Sequence, residues 1–213
     1  MIRNVQVGIT IICLIFINTN IFAQAKEWKT EKTKDGKITV KYSVSKRTGL
    51  NGKENQMVEY VATTITNANI KKLVAIMNNV LKHKEFMGQK ISAKVKTLKD
   101  NECIVYYFYK GVWPYPSSDI VAKMIFNEEV DKKIATFSLT ATPTMFEDNG
   151  VKRLDYYNLT YVFKEIENGN VEITIMAKFT PAVQLPAFIM STWFPNGPAG
   201  YITGIIKLAK EVI

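Results

Sequence analysis

Cysteine and histidine are scarce in this 213-residue chain: Cys13 and Cys103 are the only thiols and His83 the only imidazole. Two cysteines exclude a disulfide-dense scaffold, and a single histidine without clustered cysteines leaves little material for a zinc site. Seven prolines and eleven glycines are too few for a collagenous or low-complexity chain. A hydrophobic share of 47% excludes intrinsic disorder. No uninterrupted apolar run reaches the roughly 18 residues that a transmembrane helix needs. Acid is the minority charge, with 19 Asp+Glu against 28 Lys+Arg and a formal net charge of +9. The length suits one domain, or at most two small ones.

What is present begins with an export-signal pattern. Arg3 supplies a positive start, Ile9 to Ile17 is apolar, and Ala23-Gln24-Ala25 is an A-x-A cleavage site. Residues 1–25 are therefore expected to be a signal peptide, and 26–213 the working domain, periplasmic or secreted. An uncleaved N-terminal anchor is the alternative. Cleavage removes Cys13 and leaves Cys103 alone, so stability must come from a packed core rather than a disulfide.

Period-two segments dominate the rest. Lys37 to Ser45, Gln56 to Thr66, Lys90 to Leu98, Glu102 to Lys110, Asp119 to Asn127, Lys133 to Thr142, Leu154 to Ile166 and Asn170 to Thr180 read as strands. Asp35-Gly36, Asn51-Gly52, Asp100-Asn101 and Asn168-Gly169 punctuate them, which favours an antiparallel meander. Ile104 to Tyr109 and Leu154 to Phe163 are apolar on both faces. A covered sheet, a dimer face or a ligand cavity would each explain that.

Two helices interrupt the strands. Asn69 to Leu81 places Ile70, Leu73, Val74, Met77 and Leu81 on one face, with Asn67 or Asn69 as cap. A second helix follows Asn196-Gly197-Pro198, with proline at its first position, and runs to about Val212. Its apolar face carries Tyr201, Ile202, Ile205, Ile206, Ala209 and Val212. Gly200 and Gly204 lie four apart and offer a path for a second backbone to approach. The composite is α+β: a long curved antiparallel sheet holding a long C-terminal helix.

Catalytic signatures are missing. There is no G-x-S-x-G elbow, H-E-x-x-H, phosphate loop or G-x-G-x-x-G. His83 sits between Lys82 and Lys84 and reads as solvated, with only Glu85 nearby to orient it. Cys103 reads as a buried, inert thiol. No catalytic residue, metal or cofactor is assigned. Lysines alternating with apolar residues read as a solvated sheet face. The functional alternative is attraction to an anionic membrane surface, at about 1 kcal/mol per nearby Lys. No nucleic-acid reader motif is present.

Two segments carry a family likeness. Val112-Trp113-Pro114-Tyr115-Pro116-Ser117-Ser118-Asp119-Ile120-Val121 resembles the "WP-L-S-x-R-D-x-V" stretch of START domains, the StAR-related lipid-transfer modules. Tyr161-Val162-Phe163 with Gly169 to Thr174 resembles their "W-x-F…G-x-T-x-V-x-Y" hairpin. Phe179 to Phe188 is similar to "D-P-G-G-x-I-P-x-W". Four positions depart: Ser118 stands for the family's Arg, Thr180 for its Asp, and Ala182-Val183 for its paired glycines. Met124 occupies the place where some sterol-binding members carry a charge.

The resemblance implies a helix-grip fold, Bet v 1-like, with an internal hydrophobic cavity between sheet and helix. Alternation then nominates its lining: Ile120, Met124 and Phe126 on one strand; Phe137 and Leu139 on the next; Tyr157, Leu159 and Tyr161 on another; Ile175, Ala177 and Phe179 on the last. Phe188, Trp193, Ile202, Ile205, Ile206 and Ala209 would close it. The reading is an exported carrier of a lipid or other hydrophobic small molecule, expected to be monomeric and to touch membranes transiently. The C-terminal helix, or the loop Thr192 to Pro198, would open. Trp193, Phe194 and Tyr115 are candidates for the interface, or anchors for the start of the helix. The alternative is a helix-grip cyclase or hydrolase, with Asp155, Tyr157 and Tyr161 as the only strand candidates. An inward titratable group within reach of a second polar group would favour that alternative.

Overall fold

Residues 27–49, 52–112 and 116–211 are described by the computed structural model. The export signal and the Trp113-Pro114-Tyr115 part of the first motif lie outside them. The alternating segments form strands β2 (Thr39–Thr48), β3 (Glu54–Thr66), β4 (Ile91–Lys99), β5 (Glu102–Tyr109), β6 (Ser118–Glu129), β7 (Ile134–Ala141), β9 (Tyr157–Glu165) and β10 (Val171–Phe179). Two short strands escape the pattern because neither alternates: β1 (Lys29–Lys32), an edge strand, and β8 (Lys152–Arg153), which pairs in parallel with β6. The sheet has ten strands, ordered β1-β2-β3-β10-β9-β7-β6-β5-β4, with β8 beside β6. Hairpins make most of it. Asn168 and Gly169 both adopt left-handed backbone (φ 59° and 70°) between β9 and β10, as an Asn-Gly turn requires. Two antiparallel pairings are not hairpins: β7 against β9, whose connection carries β8, and β3 against β10, where Tyr60 opposes Ala177 and the early strands meet the last one.

Helix α1 (Ile70–Asn78) begins as expected: the Asn69 side chain accepts from the Lys71 and Lys72 amides at 2.9 and 3.4 Å. It stops short of Leu81. At Asn79 the backbone leaves the helical region, and a 3-10 turn (Val80–Lys82) leads into α2 (His83–Met87), which ends on left-handed Gly88. Leu81 is therefore exposed rather than on the buried stripe. A short helix α3 (Ala187–Ser191) precedes α4 (Asn196–Glu211). Pro198 is third in α4 rather than first, still within the first turn.

The strands with two apolar faces have separate explanations. On β5, Val105 and Tyr107 face the main core, while Ile104 and Tyr106 pack with Val121 under Phe146 on the other side. The chain after β7 covers that outer patch. Asn149 Nδ2 donates to Tyr106 Oη at 2.9 Å, and Arg153 clamps Asp119 through Nε and Nη2 at 2.9 and 2.7 Å. The same guanidinium donates to the carbonyls of Pro143, Phe146 and Glu147. β9 buries Tyr157, Leu159, Tyr161 and Phe163 inward and leaves its outer face half-buried.

The paired glycines of α4 divide in role. A Cβ on Gly204 would stand 2.7 Å from Phe86 Cβ and 3.0 Å from Phe86 Cα, whereas Gly200 faces open space. Only Gly204 permits the close seat of α2 on α4. Gly204→Ala should therefore destabilise the protein by about 1–3 kcal/mol, because α2 must move away. Gly200→Ala should stabilise it by about 0.5–1 kcal/mol through helix propensity alone. Denaturant unfolding of both variants checks the opposite signs.

Candidate functional site

The inward faces of the strands do not close completely on α4. A cavity of about 380 Å³ remains at the end of the concavity nearest the β10–α4 connection. That falls within the range of small-molecule pockets. Its sheet wall is Tyr60, Tyr109, Ser118, Ile120, Tyr157 and Ala177, with Phe179 and Leu154 beside them; α4 contributes Tyr201. The roof is the chain leading into α4: Pro181, Ala182 and Leu185, then Ile189, Met190, Thr192 and Trp193. None of these lining residues is charged.

The roof is clasped at one point. Gln56 on β3 takes its backbone hydrogen bond to Gln184 Oε1. Its side chain donates through Nε2 to the Leu185 carbonyl at 2.7 Å and accepts from the Leu185 amide at 3.3 Å. Beside it, Phe194 stacks on Tyr42 with ring centroids 3.9 Å apart. Phe194 is buried and Trp193 turns into the cavity wall, so both anchor the start of α4. The exposed aromatic of this region is Phe188, 74% accessible on α3, with Ile189 partly exposed next to it. Tyr115 lies outside the described residues.

Of the residues nominated from alternation, Ile120, Tyr157, Ala177, Phe179 and Trp193 line the cavity. Met124, Phe126, Phe137, Leu139, Leu159 and Tyr161 point inward but further along the sheet, where Phe126 stacks on Phe137 at 4.6 Å. Ile175, Ile202, Ile205 and Ala209 are buried in the same packed half, and Ile206 is partly buried against it. That half is closed because α1 and α2 seat Leu73, Met77 and Phe86 into it; Phe86 meets Tyr161 edge-on at 6.3 Å. Phe188 points to solvent, so its nomination as a cavity residue is corrected by the position of α3 on the outside of the roof. Alternation gave the face of each side chain and not its depth along the strand. Tyr60 and Tyr109 carry the same alternating signal and also line the cavity. The roof residues have no period to find them by.

The cavity's polar side chains include four phenols beside the hydroxyls of Ser118 and Thr192. Burial holds the hydroxyls of Tyr60, Tyr109 and Tyr157 well above the ordinary tyrosine range and that of Tyr201 at about 12, so all are neutral donors at physiological pH. Gln89 Nε2 donates to Tyr109 Oη at 3.2 Å.

His83 corrects the expectation of a solvated imidazole. It is fully buried, with Nδ1 2.7 Å from Tyr107 Oη and Nε2 2.8 Å from the Met77 carbonyl. The carbonyl can only accept, so Nε2 carries the proton and Nδ1 accepts from the tyrosine. Burial lowers the His83 pKa to about 4. Neither partner lines the cavity. Asp155, the one carboxylate among the strand candidates, falls before β9 rather than in a strand and is not among the lining residues either.

No protein-family model and no curated protein matches the sequence. Solved structures match it by shape. The STAR-related lipid transfer protein from Xanthomonas axonopodis superimposes with a TM-score of 0.68 at 16% identity, over 86% of this chain and 98% of that one. Human StAR-related lipid transfer protein 5 gives 0.64 at 12% identity, covering 86% of each chain. The Zhui aromatase/cyclase from Streptomyces sp. R1128 is more distant, at 0.53 and 7% identity over 73% of this chain and 94% of that one. With its bent antiparallel sheet, its closing C-terminal helix and the hollow between them, the chain has the helix-grip fold of the StAR-related lipid-transfer domains.

Proposed function

We propose that this protein is an exported carrier of a hydrophobic ligand, with residues 1–25 as its signal peptide and 26–213 as the lipid-binding unit. The observation that carries the reading is the uncharged cavity between sheet and helix. Burying one CH₂ is worth about 0.8 kcal/mol, so an alkyl chain lodged there supplies affinity without any ionic anchor. The fold's lipid-transfer neighbours support the same reading. The export pattern of Arg3, the apolar run and Ala23-Gln24-Ala25 supports a location outside the cytoplasm.

The roof is the part that opens. α4 is held to α2 by the Gly204–Phe86 contact, whereas the roof before α3 is tied to the sheet mainly through Gln56. Phe188, on the outside of that roof, suits contact with a bilayer, and the net positive charge suits an anionic one.

We read the protein as a non-enzyme. Tyr109 meets the criterion of an inward titratable group beside a second polar one, Gln89, but burial keeps the phenol protonated and no carboxylate or imidazole lines the cavity to exchange its proton. The one histidine is enclosed with both nitrogens engaged.

Native mass spectrometry of protein expressed from the full sequence and purified without detergent tests the proposal. A bound lipid mass is expected. Ala177→Phe, which fills the cavity from β10, should reduce its occupancy at least about tenfold, the loss expected from excluding two or more methylenes. A wild-type protein that never carries or accepts a hydrophobic mass overturns the reading.

A further inference from the structure

Charge is spread unevenly along the chain. Between Ile70 and Lys99 stand eight lysines and one acidic residue, Glu85, a net of +7. From Asp100 onward ten basic residues face thirteen acidic ones. Most of the formal charge of +9 therefore belongs to α1, the 3-10 turn, α2 and β4.

The fold gathers the end of this segment at one edge of the sheet. β4 is the last strand of the order, beyond β5. Ser92 on β4 is buried and fastens the helical corner to it: its Oγ donates to the Leu81 carbonyl at 3.3 Å and accepts from the Lys84 amide at 3.1 Å. Lys82 and Lys84 thus come beside Lys90 and Lys94, and all four are exposed. Lys82 pairs with Glu85 at 3.1 Å, which uses the segment's one carboxylate. Leu81 is 64% exposed and Ile91 46%, so two aliphatic side chains stand outside among the ammonium groups.

Lysines alone would suit any polyanion. Exposed aliphatic side chains between them suit an interface, where ammonium groups meet headgroups and apolar groups enter the acyl boundary. We infer that the β4 edge, with the 3-10 turn and α2 seated on it, is a docking surface for an anionic lipid bilayer. Lys84, Lys90 and Lys94 meet its headgroups, and Leu81 and Ile91 enter its boundary region. The net acidic remainder of the chain is repelled by the same bilayer, which gives docking one orientation. This surface is separate from Phe188, because α3 lies against β2, near the opposite edge of the sheet. It stands on charge and exposure and not on the cavity, so it goes beyond the carrier reading.

The test is co-sedimentation of full-sequence protein with phosphatidylcholine vesicles, with and without phosphatidylglycerol. Wild type should bind the anionic vesicles at least about tenfold tighter than the neutral ones and lose that margin in high salt. Lys84→Glu/Lys90→Glu/Lys94→Glu should weaken anionic binding at least about a hundredfold, from the roughly fivefold that each lysine is worth near such a surface. Lys29→Glu/Lys34→Glu/Lys164→Glu, the same change in net charge made elsewhere, should weaken it less than about tenfold, through long-range attraction alone. Leu81→Ser/Ile91→Ser should weaken it about fivefold or more through lost apolar burial. That variant alters two exposed side chains, so it reads the surface even where three charge reversals disturb folding. It should leave binding to soluble polyglutamate unchanged. Equal binding to the two vesicles, or equal losses in the two charge-reversed proteins, overturns the inference. Polyglutamate bound as tightly as the anionic vesicles, with the serine variant unimpaired on both, assigns the surface to an acidic protein and also overturns it. Native mass spectrometry of the same preparations reads the carrier function separately: a retained lipid mass leaves that reading intact whatever the vesicles show.

Discussion

Arg153→Met is expected to lower the unfolding free energy by about 3–5 kcal/mol, the cost of stranding a buried charge. Asp119 is 0% exposed and Arg153 13%, so the carboxylate left behind has no route to water. The guanidinium does more than neutralise it. One face holds both Asp119 oxygens, and the remaining N–H groups hold three carbonyls of the chain that covers Ile104, Tyr106 and Val121. Arg153→Lys should recover only part of the loss, because an ammonium cannot reproduce that fork. Asp119→Leu/Arg153→Met, which removes both charges, should be more stable than Arg153→Met alone. Equilibrium denaturation of the three variants reads all of this; a single Arg153→Met change costing under 1 kcal/mol would show the clamp to be ornamental. The effect should also reach the cavity, since Asp119 stands between Ser118 and Ile120, and Arg153 precedes Leu154, all three of them lining residues.

Acid should weaken the fold through His83. Its pKa is about 4 in the folded protein and near 6.5 when unfolded, so the unfolded chain takes up the proton first. The stability that neutral His83 provides is complete above pH 6.5 and is lost as pH falls from there toward 4. The loss attributable to this one group should approach about 3 kcal/mol near pH 4, following the 1.36 kcal/mol per pH unit of linkage. Carboxylates add their own pH dependence, so the measurement is a difference. His83→Gln retains an amide donor and acceptor but does not titrate, and its stability should fall less steeply than wild type across that window. Parallel slopes for the two proteins would show that the imidazole is not held neutral. The same enclosure makes the single histidine a stability switch that acid can throw.

Local periodicity carried a large part of the architecture. Eight of the ten strands follow from alternation, because a strand half-buried on a curved sheet must put every second residue inside. Asn69 announced its helix by the oxygen it could offer to free amides, and Asn168-Gly169 announced a hairpin by tolerating left-handed backbone. The motifs around Asp119 and the β9–β10 hairpin pointed to the helix-grip fold, which the solved structures bear out in shape.

Depth was not legible. Phe126 and Tyr157 alternate equally well, yet one is stacked in packed core and the other faces the hollow. What separates them is where α1 and α2 land, and that depends on a bend at Asn79 and a contact between Gly204 and Phe86 across more than a hundred residues of chain. His83 shows the same limit. Two flanking lysines made it look solvated, while the fold turned those lysines outward and drew the ring in to Tyr107. The sequence alone settled the elements, their faces and the class of fold, because those depend on neighbours a few residues apart. Only the tertiary structure decided which inward side chains meet each other and which meet a hollow, because packing pairs residues by position in space and leaves a cavity only where no helix arrives to fill it.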